Sequence, residues 1–128
     1  MSVELKTVFT AAAPPAIGPY SQAVAAGELV FVSGQIPLDP VSGELAPGDF
    51  TAQAQRCLAN VGAVLEAAGC SRGQVAKVSV YLTDLGRFAE LNRVYAEFFG
   101  EHRPARAVVG VAALPRGAPI EIEAVAVR

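Results

Sequence analysis

Arg106 heads a run that is otherwise apolar, Arg106-Ala-Val-Val-Gly-Val-Ala-Ala-Leu114, and Glu121 and Glu123 interrupt a second apolar run from Ile120 to Val127. An ionised group among core-type residues is unfavourable unless it is partnered or held for a ligand. A guanidinium offers a planar fork matched to a carboxylate. A shielded glutamate can take a proton from water or orient it. Together the two types suggest a site that grips a small acid and adds water to it. Two alternatives stay open: each charge forms a structural ion pair, or Glu123, on the same strand face, serves in place of Glu121.

Whether Arg106 and Glu121 share a pocket depends on how their strands pair. If residues 114–119 formed a simple hairpin turn, Arg106 would lie opposite about residue 127, with Glu121 roughly 20 Å further along. That exceeds the reach of one small ligand. Either the two strands are not partners or the pocket joins two subunits. Ile17-Gly-Pro-Tyr-Ser-Gln22 is a second unusual stretch. Its Gly18-Pro19 sets a rigid bend and presents Tyr20, whose phenol either packs or donates a hydrogen bond while its ring covers a ligand. Gly34, between Ser33 and Gln35 at a strand end, leaves room for a close approach. Asn92, one position past core-facing Leu91, reads as solvated. His102 is the single histidine and has no acidic or thiol partner at a telling spacing. Neither a metal nor a cofactor is expected, because no ligand cluster, phosphate loop, dinucleotide fingerprint or nucleophile elbow is present.

These residues need a scaffold, and hydrophobic periodicity outlines one. Leu5–Phe9, Leu29–Ser33 and Lys77–Leu82 read as strands. Asp49 is a candidate N-cap for a helix whose stripe is Ala54, Leu58, Val61, Leu65 and Ala68, stopped by Gly69. A second helix begins near Asp84, places Phe88, Leu91, Tyr95 and Phe98 on one side, and ends at Gly100. Two strands follow, residues 106–114 and 120–127. The order implies an α+β fold, a mostly antiparallel sheet with two helices on one face. Identical subunits are the expected cover for the other face.

Of 128 residues, 52% are hydrophobic and 17% charged, which fits one domain over 1–128 with part of its own surface apolar. The net charge of −2 gives no footprint for a polyanion. No apolar run approaches the ~18 residues of a membrane span, and the first residues lack the basic-then-apolar pattern of a secretion leader. Cys57 and Cys70 have no metal-ligand spacing and read as small buried hydrophobes. The expectation is a cytoplasmic protein with neither nucleic acid nor membrane as partner.

Taken together, Ala16-Ile-Gly-Pro-Tyr-Ser-Gln22, Val32-Ser-Gly-Gln-Ile-Pro37, Val78 to Leu85 leading into Asn92, Phe98-Phe99, Pro104-Ala-Arg106, and Leu114-Pro115 through Ile120-Glu-Ile-Glu-Ala124 resemble the RidA family. This family, also called YjgF, comprises reactive-intermediate deaminases, and the resemblance covers nearly the whole chain. It implies a chorismate-mutase-like α+β domain, assembled as a homotrimer around a barrel-like centre. The last strand would insert between earlier ones, and ligand clefts would lie between subunits. The implied activity is hydrolysis of 2-enamine and 2-imine acids, such as 2-aminoacrylate and 2-iminobutyrate, to 2-oxo acids and ammonia. These intermediates come from pyridoxal-phosphate-dependent dehydratases, and the deaminase itself uses no cofactor.

Carried over by motif, Arg106 would clamp the substrate carboxylate and Glu121 would activate or orient the attacking water. Tyr20 would line the cleft, Ser33 and Gly34 would offer polar and backbone contacts, and Asn92 would support the site. The chain departs from the family pattern at Val108, where members typically carry a cysteine, and at Gly110, where they often carry an acid. Its loop from His102 to Pro104 also looks shorter. A rival reading from another class is a regulatory trimer that binds small carboxylates without catalysis. A nuclease role, attached to some relatives, is disfavoured by the acidic charge balance.

Overall fold

Six strands and two helices form: β1 Leu5–Val8, β2 Ala23–Ala26, β3 Leu29–Gln35, α1 Phe50–Ala67, β4 Val75–Leu82, α2 Phe88–Phe99, β5 Ala105–Gly110 and β6 Ile120–Val127. This computed structural model describes residues 2–128; Met1, the first residue of the expected domain, lies outside them. The strands make one sheet in the order β1-β2-β3-β6-β4-β5. All pairings are antiparallel except β4 with β5, which α2 connects as a parallel crossover requires. The last strand therefore runs between β3 and β4 and does not pair with β5.

Local chemistry explains the helices. The Asp49 carboxylate accepts a hydrogen bond from Ala52 N at 3.0 Å and starts α1. Ala54, Leu58, Val61 and Leu65 are buried along one stripe, and Gly69 takes the left-handed conformation that ends the run. Asp84 accepts from Gly86 N and opens a short turn, Leu85–Arg87, that leads into α2.

Three sequence expectations need correction. β2 is absent from the periodicity: its Ala-Val-Ala-Ala has little intrinsic strand preference and is held by pairing with β1 and β3. β5 stops at Gly110, well short of Leu114, because its only partner strand, β4, ends opposite it at Leu82. The buried face of α2 is Leu91, Val94, Tyr95 and Phe99. Phe88, the first residue of α2, is exposed at the helix end with its ring beside the Arg106 guanidinium, and Phe98 is half-buried over Gly62.

The core lies between the helices and the sheet. Ile120, Ile122, Ala124 and Ala126 of β6 point into it, while Glu121, Glu123 and Val125 alternate onto the opposite face. That opposite face carries Leu29, Phe31, Val109 and Val127, each 40–45% exposed. Single exposed hydrophobes are ordinary, but four sharing one face of a sheet are not. Cys57 and Cys70 are free and buried, and among the described residues no helix is long and apolar enough to cross a membrane.

Candidate functional site

A slip in strand register builds a hollow at one end of the sheet. Val32 pairs with Ala124 but Gln35 pairs with Ile122, so β3 spends one residue more than β6 and bulges at Ser33-Gly34. Gly34 lies directly against Glu121: a Cβ there would stand 2.5 Å from Glu121 Oε2. Glycine is needed at this point to make room for the Glu121 carboxylate; the sequence suggested only a close approach. The hollow has a volume of about 150 Å³ and is lined by Ile17, Tyr20, Gly34, Leu38 and Glu121 among others. Sites for drug-sized ligands run to roughly 300–1,000 Å³, so this one suits a molecule of a few heavy atoms.

Backbone-directed side chains hold both walls. Gln22, almost fully buried, accepts from Thr10 N at 2.7 Å and donates to Thr10 O at 3.1 Å and Pro14 O at 2.8 Å. Tyr20 is half-exposed, and its hydroxyl accepts from Ile17 N at 3.3 Å. The Ser33 hydroxyl donates to Ser21 O at 2.6 Å, which ties the tyrosine turn to β3. On the other wall, Cys57 Sγ donates to Gln35 O at 3.0 Å, and Asn60 Nδ2 donates to Ile36 O at 3.2 Å and Leu38 O at 2.9 Å. The Asn60 amide oxygen accepts from Arg56 Nε and Nη2 at 3.0 and 2.8 Å. Sequence reasoning missed Asn60. Its signal was available, since an asparagine three residues after Cys57 and one before Val61 interrupts the apolar stripe of α1.

The two glutamates are now distinguishable. Glu123 accepts from the Tyr81 hydroxyl at 2.8 Å, and that bond pushes the phenol above its ordinary range. Glu121 has neither a hydrogen-bond donor nor a cation beside it among the described residues. Burial first, and the neighbouring Glu123 charge second, push its carboxyl above the usual carboxylate range. Beneath it, burial pushes the Cys57 thiol up, so the sulfur stays protonated.

Arg106 sits elsewhere. Its guanidinium lies 4.8 Å from the Tyr95 ring centre and 5.6 Å from that of Phe88, and Nη1 donates to Asn92 Oδ1 at 2.9 Å. Asn92 is therefore more than the solvated residue its helix position suggests; its amide oxygen aims the arginine. No carboxylate pairs with Arg106 among the described residues. The Tyr95 hydroxyl beside it is buried with no hydrogen-bond partner. Val108 shares this face and packs on the core. At Gly110 a Cβ would stand 3.0 Å from Leu85 Cδ1, so Leu85 occupies the space an acidic side chain would need. His102 is structural, with Nε2 bonded to Val75 O at 2.7 Å.

One chain thus holds two separate clusters. Arg106 pairs across to Val78 and Val78 to Ala124, three residues beyond Glu121. That separation is roughly 10 Å across the strands and roughly 10 Å along them. The two residues also point to opposite faces, because Arg106 shares the helix side with Val78 while Glu121 pairs with Tyr81 on the open side. Tyr20, Gly34 and Glu121 gather with Ser33 just behind; Arg106 and Asn92 gather apart from them. The strand order removes the supposed hairpin but not the separation.

A family model described as Endoribonuclease L-PSP matches residues 10–128. A RutC family protein of Pyrococcus horikoshii is 53% identical over 121 residues, covering 94% of this chain and 96% of that one. A protein of Bos taurus named 2-iminobutanoate/2-iminopropanoate deaminase is 47% identical over 127 residues, covering 99% and 93%. The crystal structure of E. coli TdcF with bound serine superposes with a TM-score of 0.92 at 50% identity, covering 96% and 98%.

Proposed function

The chain belongs to the RidA/YjgF family, and on that footing we propose that it hydrolyses small 2-imino acids to 2-oxo acids and ammonia. The reaction takes place in clefts between identical subunits of a homotrimer. One observation carries this reading: among the described residues Arg106 and Glu121 are both without a charged partner, yet they occupy opposite faces of one sheet. Only a second chain can bring an arginine of one subunit to the glutamate of the next. The apolar open face with Leu29, Phe31 and Val127 is the surface such a neighbour would cover. The cattle relative's name and the serine in the E. coli structure support a small amino-acid-like carboxylate as the ligand.

The mechanism follows from the residues. Asn92 and the rings of Phe88 and Tyr95 fix the guanidinium, which grips the substrate carboxylate in a charge-assisted contact of roughly 1.5–3 kcal/mol. The imine carbon is already electrophilic and needs an aligned water more than a strong nucleophile. Glu121 takes a proton from that water as it adds to C2 and the C=N pair moves onto the protonated imine nitrogen. It then gives the proton to that nitrogen, and the C–N bond breaks to release ammonia as the new hydroxyl forms the 2-oxo group and loses its proton to solvent. Tyr20 closes the hollow, and the Ser33 hydroxyl, which already donates to backbone, keeps its acceptor lone pairs for the ligand.

Mixing two impaired variants tests the shared site. Arg106→Ala and Glu121→Gln homomers should each release ammonia from freshly generated 2-iminobutyrate at least about 10-fold more slowly than the wild type. Unfolded and reassembled in equal amounts, they should recover about one quarter of wild-type activity, since one site in four joins an intact arginine to an intact glutamate. Undiminished activity in Arg106→Ala alone, or no recovery above the two homomers in properly assembled mixtures, would refute the proposal. Binding of 2-oxobutyrate without any turnover by the wild type would favour the carboxylate sensor instead.

A further inference from the structure

The deaminase reading leaves a chemical gap. The elimination reactions that supply such substrates form the enamine first, and an enamine resists water. Its nitrogen lone pair feeds the C2=C3 bond and makes C2 electron-rich, so hydration must wait until C3 carries a proton. We propose that Glu121 also transfers a proton at C3, so that the cleft converts enamine to imine and exchanges the C3 hydrogens of bound 2-oxo acids with solvent.

The hollow offers one group for this step. Glu121 is the only carboxyl lining it, and no donor or cation ties its oxygens down among the described residues. Gln22 is held by hydrogen bonds to the backbone of Thr10 and Pro14, and an amide has no proton of useful acidity to give. The Tyr20 hydroxyl only accepts from Ile17 N, but a phenol is a far weaker acid than a carboxyl. Apolar neighbours such as Ile17, Leu38 and Pro115 leave the glutamate's proton free for the ligand. Burial and Glu123 favour the protonated form, and partial exposure lets solvent restore the proton after each transfer.

The step balances without a further reactant. The carboxyl O–H breaks and C3–H forms from the C2=C3 pair, while the nitrogen lone pair becomes the second bond of C2=N. The carboxylate left behind is the base required for the water. Run on a 2-oxo acid, the same carboxylate takes a C3 proton. The C–H pair becomes C2=C3, and the carbonyl oxygen takes up the charge or a proton from solvent. In heavy water, return from the exchanged carboxyl leaves deuterium on C3.

This inference rests on the deaminase reading, and one preparation separates the two. The wild-type protein is incubated with 2-oxobutyrate in heavy water, and loss of the C3 methylene proton signal is followed by NMR. Ammonia release from 2-iminobutyrate is measured alongside. Exchange should exceed the buffer rate by roughly 10²-fold or more, scale with protein, and fall to background in Glu121→Gln while Glu121→Asp keeps part of it. Deamination with background exchange would overturn the inference and leave the deaminase intact, as would exchange undiminished in folded Glu121→Gln. Loss of both in the wild type would end both proposals.

Discussion

Gly34→Ala is the sharpest single test of where the carboxylate works. The added Cβ would stand 2.5 Å from Glu121 Oε2, 2.9 Å from its Cδ and 3.2 Å from its Cγ. Ordinary contact lies near ~3.5 Å, so the carboxylate must retreat by about 1 Å. Gly34 does not use a positive φ, so alanine suits the backbone and restricts the unfolded chain, a gain of about 0.4–1 kcal/mol. Overpacking opposes it at about 1–3 kcal/mol, leaving a net loss of roughly 0–2.5 kcal/mol. For 128 residues one kcal/mol corresponds to about 4 °C, so the melting temperature should drop by no more than about 10 °C. Activity should suffer far more, since a displacement of about 1 Å can lower kcat by about 10²-fold. Calorimetry and an ammonia-release assay on one preparation measure both. Near-wild-type kcat in the alanine variant would mean that the observed position of Glu121 is irrelevant to the reaction.

Other perturbations follow from the same geometry. Because burial and Glu123 raise the Glu121 pKa, imine hydrolysis should lose rate as pH falls through a value above the usual carboxylate range. Removing the nearby charge with Glu123→Gln should shift that limb of the kcat/KM profile downward. The sign for stability is opposite to that of an ion-paired acid. A raised carboxyl pKa contributes stability fully present below the unfolded value and lost as pH rises through the folded one. Glu121→Gln should therefore raise the melting temperature at neutral pH, and the gain should vanish in acid. Arg106→Ala should lower kcat/KM by roughly 10–150-fold with little change in melting, because the side chain is exposed and lacks a carboxylate partner. Arg106→Lys should retain only part of the activity, because an ammonium keeps the charge but has no fork. Asn60→Ala strands the carbonyls of Ile36 and Leu38 and should cost about 2–4 kcal/mol in chemical unfolding.

What the sequence by itself determined is local. The Asp49 cap, the apolar stripe and Gly69 specify α1 because helix bonds join residues four apart, so every signal lies within one turn of its effect. The close approach at Gly34 and the bend before Tyr20 were legible because a bulge and a rigid turn need particular residue types on the spot. Arg106 stood out too, as a charge among apolar neighbours. Tertiary structure decided what depends on partners distant in sequence. β2 exists through its two neighbours; its four small residues would not specify it. Glu121 and Glu123 are identical in type and share a strand face, and only the arrival of Tyr81 from β4 separates them. Asn60 became meaningful once β3 delivered two carbonyls to it. The insertion of β6 between β3 and β4 put the arginine and the glutamate on opposite faces. Strand order is a choice among edges far apart along the chain, and no local pattern encodes it.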